Sequence, residues 1–207
     1  CECCPTSSVR YDDNLVVAYR NRDSNEIRDI FIARKIGDNW MEPYLVYKDN
    51  WQIAGCPVNG PMLAINGSNI ALAWFTAANE SAQVKVAFSK DIGKTFSSPI
   101  IIDNSMPLGR VDIDWIDNKN VIVSWIKSTE TSSNILAKVV HIDDGKGRDF
   151  FVEAIPQGRI SGYPQVEVID KRALFAWTEN NQKTSVATKW ISLNLSLIHI
   201  SEPTRPV

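Results

Sequence analysis

Asn69-Ile70-Ala71-Leu72-Ala73-Trp74 (NIALAW) is a short apolar run closed by an aromatic residue, and three other stretches repeat its form: Asn14–Tyr19 (NLVVAY), Asn120–Trp125 (NVIVSW) and Arg172–Trp177 (RALFAW). The closing aromatics Tyr19, Trp74, Trp125 and Trp177 stand 55, 51 and 52 positions apart. A period of about 50 residues, with no 3.6-residue periodicity inside it, is that of a propeller blade of four strands. Around NIALAW the unit divides readily. Met62–Ile65 reads as a first strand, Asn66-Gly67 as a hairpin turn favoured by positive φ, and Ile70–Phe75 as the second strand. Gln83–Phe88 and Pro99–Asp103 supply the third and fourth. Third strands recur at Ile27–Arg34, Asn134–His141 and Ser185–Trp190, and fourth strands at Pro43–Tyr47 and Phe150–Ile155.

The expectation is therefore an all-β chain, a partial β-propeller over residues 1–194, with blades near 4–48, 60–103, 109–156 and 162–194. The last unit has no fourth strand, because Leu195–Arg205 (LSLIHISEPTR) resembles a translated sequencing adapter; residues 195–207 are read as a non-native tail. Four blades leave sheet edges unpaired, so the reading is of a longer ring truncated at both ends, whose missing blades are its first partner. Composition agrees with a folded core and narrows the partners. Twenty-two basic against 24 acidic residues give a net charge of −2, without the basic field nucleic acid requires. No apolar run approaches the ~20 residues of a membrane span. Seven tryptophans suit pleated, packed sheets.

Ser89-Lys90-Asp91-Ile92-Gly93-Lys94-Thr95-Phe96 matches the pattern S-x-D-x-G-x-T-F in full. Ala33–Trp40 keeps the glycine and the aromatic of that pattern, and His141–Arg148 keeps the aspartate and glycine at the same register. The pattern describes a turn between third and fourth strands. Its carboxylate accepts backbone N–H groups, its glycine takes positive φ, and its aromatic packs between sheets. On these residues the chain resembles the Asp-box, sialidase-like β-propeller family. CECCPT at the start, the stretch at 22–29 and DNWQIAGCPVNGP at 49–61 resemble a secreted bacterial branch of it. The resemblance implies a six-bladed or similar ring in a secreted or periplasmic protein. It also implies carbohydrate or a glycoconjugate as ligand, acted on by a glycoside hydrolase of exo-sialidase type. A non-catalytic glycan- or protein-binding propeller, or a metal-binding propeller built on its cysteines, is the alternative, because the fold does not dictate the activity.

In such blades the second-to-third-strand loops and the inter-blade connections share one rim and converge on the axis. That rim gathers the catalytic candidates Arg20, Asp23, Glu26, Arg28, Arg110 and Asp112, and the ligand-binding candidates Trp51, Asn59 and Arg159. A sialidase-type site needs arginines to grip a sugar carboxylate, a Tyr–Glu pair as nucleophile and an aspartate as acid and base. Against this, Arg28-Asp29 and Arg110 with Asp112 also read as ion pairs that hold loops, and Trp51 as a core ring. Cys1, Cys3, Cys4 and Cys56 read as disulfide-forming in an oxidising compartment, with thiolate ligation of zinc or copper as the alternative; no other cofactor is expected.

Overall fold

The computed structural model describes residues 4–158, 162–180 and 184–193. Their regular structure is four antiparallel sheets in sequence order. The first holds β1 (Ser7–Tyr11), β2 (Asn14–Arg20), β3 (Ile30–Ile36) and two short pieces that both pair with β3, β4 (Asn39–Trp40) and β5 (Tyr44–Leu45). The second holds β6 (Met62–Asn66), β7 (Asn69–Thr76), β8 (Gln83–Ser89) and β9 (Ile100–Asp103). The third holds β10 (Pro107–Trp115), β11 (Asn120–Ser128), β12 (Ser133–His141) and β13 (Asp149–Ile155). The fourth holds β14 (Gln165–Ile169), β15 (Arg172–Asn180) and β16 (Thr184–Ser192). The innermost strands β1, β6, β10 and β14 neighbour one another in that order, which is the radial arrangement of a β-propeller.

The repeat that decided the fold is a consequence of burial on both faces. Along β7, Ile70, Leu72 and Trp74 pack against the first sheet, while Ala71, Ala73 and Phe75 pack against the third. A middle strand of a stacked blade has no solvent face, so its residues are apolar at odd and even positions alike. The register is kept from blade to blade. Trp74, Trp125 and Trp177 each turn toward the preceding sheet. Trp74 donates its indole N–H to Asp49 Oδ2 (2.7 Å) and Trp125 to Asp103 Oδ2 (2.8 Å), each acceptor standing where the preceding blade ends. At the third seam the Trp177 N–H is buried with no acceptor among the described residues, and Ile155 packs in that seam.

The turns differ from expectation by one residue. Asn66 pairs with Asn69, so the two-residue loop is Gly67-Ser68 rather than Asn66-Gly67. Gly67 has φ +57°, which places the glycine first, as hairpins of the II′ kind require. In the Ser89–Phe96 turn, Asp91 accepts the Thr95 N–H (2.9 Å) and hydroxyl (2.7 Å), and Ser89 Oγ accepts the Gly93 N–H (2.9 Å). Gly93 takes φ +67°, and Ile92 beside it takes +56°. Phe96 packs into the first seam, whereas Trp40 at the matching position of the first blade is 55% exposed. Burial raises the Asp91 carboxyl, but the hydrogen bonds of Thr95 and Ser89 outweigh it and the net shift is downward.

These turns and the first hairpins share a rim. Ile92 N donates to Ser68 O (3.2 Å), and Ile142 N to Lys119 O (2.9 Å). Asn66 also donates to Asn118 across two blades (3.0 Å). The remaining connections therefore emerge on the opposite rim. No helix among the described residues is long and apolar enough to cross a membrane.

Candidate functional site

On the opposite rim a cavity of about 450 Å³ opens where three inter-blade connections meet. Pro57, Val58 and Asn59 come from the first connection, Leu108 and Arg110 from the start of β10, and Gly162 and Tyr163 from the segment before β14. Asn59 is the joint between them. Its Oδ1 accepts the Arg110 N–H (2.7 Å), and its amide donates to Leu108 O (3.1 Å) and Pro57 O (3.2 Å). Arg110 donates from Nη1 to Gly162 O (2.9 Å), and its guanidinium lies 5.7 Å from the centre of the Tyr163 ring. The Tyr163 hydroxyl donates to Val58 O. Burial raises the Tyr163 phenol, with Arg110 pulling the other way.

The backbone is strained around this cavity. Val58 and Arg110 hold φ at +49° and +53°, a region that β-branched and bulky residues avoid. Gly109 holds +81°, and a Cβ there would meet Asn59 Oδ1 and come within 2.7 Å of the Phe75 ring. Conformations of this kind cost of order 1–3 kcal/mol each and cluster at binding and active sites. Among the described residues lining the cavity, Arg110 is the one charged side chain; amides, hydroxyls, small apolar groups and the Tyr163 ring make up the rest. That set suits a ligand with a negative charge and several hydroxyls.

The other sequence candidates are placed differently. Arg20 donates to three carbonyls, Asn59 O (2.8 Å), Arg28 O (2.6 Å) and Phe75 O (2.6 Å), and its guanidinium lies 4.9 Å from the Trp51 ring centre. Burial lowers it to about 10, so it stays cationic at neutral pH. Arg28 is buried and donates to Ile53 O (3.2 Å) and Glu26 (3.2 Å). Glu26 is also held by Arg22 through two nitrogens. Asp23 caps the N–H groups of Asn25 and Ile27 (both 2.9 Å), a local turn. Asp29 is buried and accepts the Asn50 and Trp51 N–H groups, and burial raises its carboxyl. Asp23 and Glu26 thus serve their own loop, Arg20 and Arg28 tie that loop to the connection and blade that follow, and Asn59 and Arg110 are the sequence candidates that meet at the cavity.

Trp51 is 6% exposed and packs edge-on against Phe75 at 5.5 Å, so its ring belongs to the core rather than to a sugar-stacking surface. Asp112 lies beyond the cavity, facing the fourth sheet. It accepts the Val166 N–H (2.7 Å), and Asp114, two residues on, accepts the Val168 N–H (2.7 Å). Burial pushes Asp112 up to about 7 and raises Asp114. Arg159, Cys1, Cys3 and the 195–207 tail lie outside the described residues.

Cys56 lines the cavity and is disulfide-bonded, its partner lying outside the described residues, while Cys4 is a part-buried free thiol. A disulfide sulfur offers no thiolate to a metal. Tyr163 was not among the sequence candidates. The only signal for it is its position in Gly162-Tyr163-Pro164, which takes the place in the fourth unit that Asn59-Gly60-Pro61 holds in the second.

No protein-family model matches the chain, and no curated protein matches it. Solved structures do. A Hadza microbial sialidase superposes with a TM-score of 0.57 at 18% identity, over 97% of this chain and 47% of that one. The xylan β-1,4-xylosidase of Bacillus halodurans C-125 superposes at 0.56 and 14% identity, over 98% and 42%. A thermostable family-43 glycoside hydrolase gives 0.54 and 15%, over 89% and 67%. The chain spans less than half the length of the sialidase and the xylosidase. At these identities the likeness is one of fold, and the fold is the β-propeller.

Proposed function

We propose that the chain binds carbohydrate in the cavity bounded by Asn59, Arg110 and Tyr163, with Arg110 taking the carboxylate of an acidic sugar. One observation carries this reading. Three successive connections converge on a single opening whose one charged lining group, among the described residues, is a guanidinium held in strained backbone. The Ser89–Phe96 turn, read as an Asp box, and the superposition on a sialidase support the same ligand class. The hydrolase form of the reading is an exo-sialidase. There Arg110 grips the sugar carboxylate of the substrate. The non-catalytic form draws support from the loop at 20–29, whose arginines and carboxylates are engaged in structure.

The test is a titration of the chain with 3′-sialyllactose and with lactose, followed by amide chemical shifts. Sialyllactose is expected to shift Asn59, Arg110 and Tyr163, lactose to leave them unmoved, and Arg110→Ala to weaken the effect tenfold or more. Release of methylumbelliferone from its sialoside separates hydrolase from binder. Sialyllactose that leaves all three amides in place sinks the proposal.

A further inference from the structure

The seams between blades are built on one plan, and one of them is left open. At the first seam Asp49 accepts the Trp74 indole N–H, and its other oxygen takes Lys85 Nζ at 2.6 Å. Tyr47, two residues before Asp49, then lays its ring on that ammonium at 4.9 Å. The outer end of the seam is thus covered by a flat ring from the chain itself. At the second seam Asp103 holds Trp125 in the same way, but its Oδ1 takes the N–H (2.7 Å) and hydroxyl (2.5 Å) of Ser105. Ile101, two residues before Asp103, is 49% exposed and does not line the opening. What remains is a groove of about 490 Å³, walled by the end of β9 on one side and by β11, β12 and β13 on the other.

Its walls are fixed and its chemistry is mixed. Leu136 pairs with Phe151 across β12 and β13, and the Phe151 ring is 56% exposed at the groove. Lys127 donates to Ser105 Oγ (2.6 Å), and Lys138 lies 3.8 Å from Asp149. Burial pushes Asp103 up, but the Ser105 and Trp125 hydrogen bonds outweigh it, so the net shift is downward and its charge is secure. Two lysines and two aspartates cancel, so the groove offers no net field. It presents one apolar ring face bordered by donors and acceptors, which is the complement of a pyranose, apolar on its faces and hydroxylated at its edge. Phe151 is the one exposed ring of the groove; the other apolar residues that line it, Ile102, Trp125, Leu136, Ala137 and Phe150, are buried or half-buried.

We propose that this lateral groove between the second and third blades is a second carbohydrate site, taking one unit of a neutral glycan stacked on Phe151. It is separate from the Arg110 cavity in position and in charge, and a failure at either leaves the other standing. The experiment titrates the chain with xylotetraose, cellotetraose, mannotetraose and β-1,3-galactotetraose, reading amide shifts. At least one sugar is expected to move Asn104, Lys127 and Phe151 in wild type and in Arg110→Ala alike. Phe151→Ala is expected to weaken it tenfold or more while keeping the melting temperature. The proposal is overturned if none of the four sugars moves those amides, or if Phe151→Ala binds as wild type does. It is equally overturned if N-acetyltyrosinamide alone moves them, since the groove would then be a seat for a partner's aromatic side chain.

Discussion

Two regions of the same rim carry arginines, and they use them in opposite ways. In the 20–29 loop Arg20, Arg22 and Arg28 are bound to carbonyls and to Glu26 of their own surroundings. At the Asn59 joint Arg110 holds a carbonyl and a tyrosine ring and still lines an open cavity. Density of charge in a sequence therefore marks neither region as the site. What separates them is whether the charged group closes a loop or borders a space.

Replacing Arg20 by alanine breaks that contrast most severely. It leaves three carbonyls from three parts of the chain without their donor, and hydrogen bonds to a charged group contribute about 1.5–3 kcal/mol each. A loss of about 3 kcal/mol or more is expected in urea unfolding. A change under ~0.5 kcal/mol, the range of an ordinary surface substitution, shows Arg20 to be dispensable to the fold.

Gly109→Ala comes next, because the new methyl meets Asn59 and Phe75 at a φ of +81°. About 2 kcal/mol of destabilisation is expected, together with lost sialyllactose shifts at Asn59. Retention of both properties means the joint is softer than its geometry.

Asp112 gives a comparable effect that depends on pH. Its folded carboxyl titrates near 7, above the ordinary 3.8, so the folded chain takes up a proton before the unfolded one does. Its contribution is greatest below 3.8 and is lost as pH rises through 7. Between pH 8 and pH 5 the wild type should gain about 2–3 kcal/mol relative to Asp112→Asn, at 1.36 kcal/mol per pKa unit. Parallel stability curves for the two proteins contradict it.

Arg110→Ala is expected to have the smallest effect on stability, within about 1 kcal/mol, since its side chain borders an open cavity rather than closing a buried joint. Its effect falls on ligand binding. A larger loss in Arg110→Ala than in Arg20→Ala would invert the comparison.

The fold was legible because two-sided burial writes itself into sequence as an unbroken apolar run, and Trp74, Trp125 and Trp177 return at blade register. The hairpin was misplaced by one residue because Asn-Gly and Gly-Ser are both turn pairs, and only strand register chooses between them. Asn59 and Arg110 could be named from the rim they occupy. That Arg20 is a clasp could not, because its three acceptors stand 8, 39 and 55 positions away. Tyr163 escaped notice for a related reason. Its meaning lies in contacts with Val58 and Arg110, more than 50 positions upstream, and a lone tyrosine before a proline carries no periodic signal.

The paired aspartates of β10 have an effect on the shape of the hub. Val166 and Val168 present their N–H groups to carboxylates on side-chain arms, rather than to main-chain carbonyls. An arm reaches farther than the ~4.8 Å that separates paired strands, so adjacent inner edges are tethered without zipping into one continuous sheet. The third and fourth blades can then fan apart from their inner edges, and the spacing of those edges is set by the reach of an aspartate.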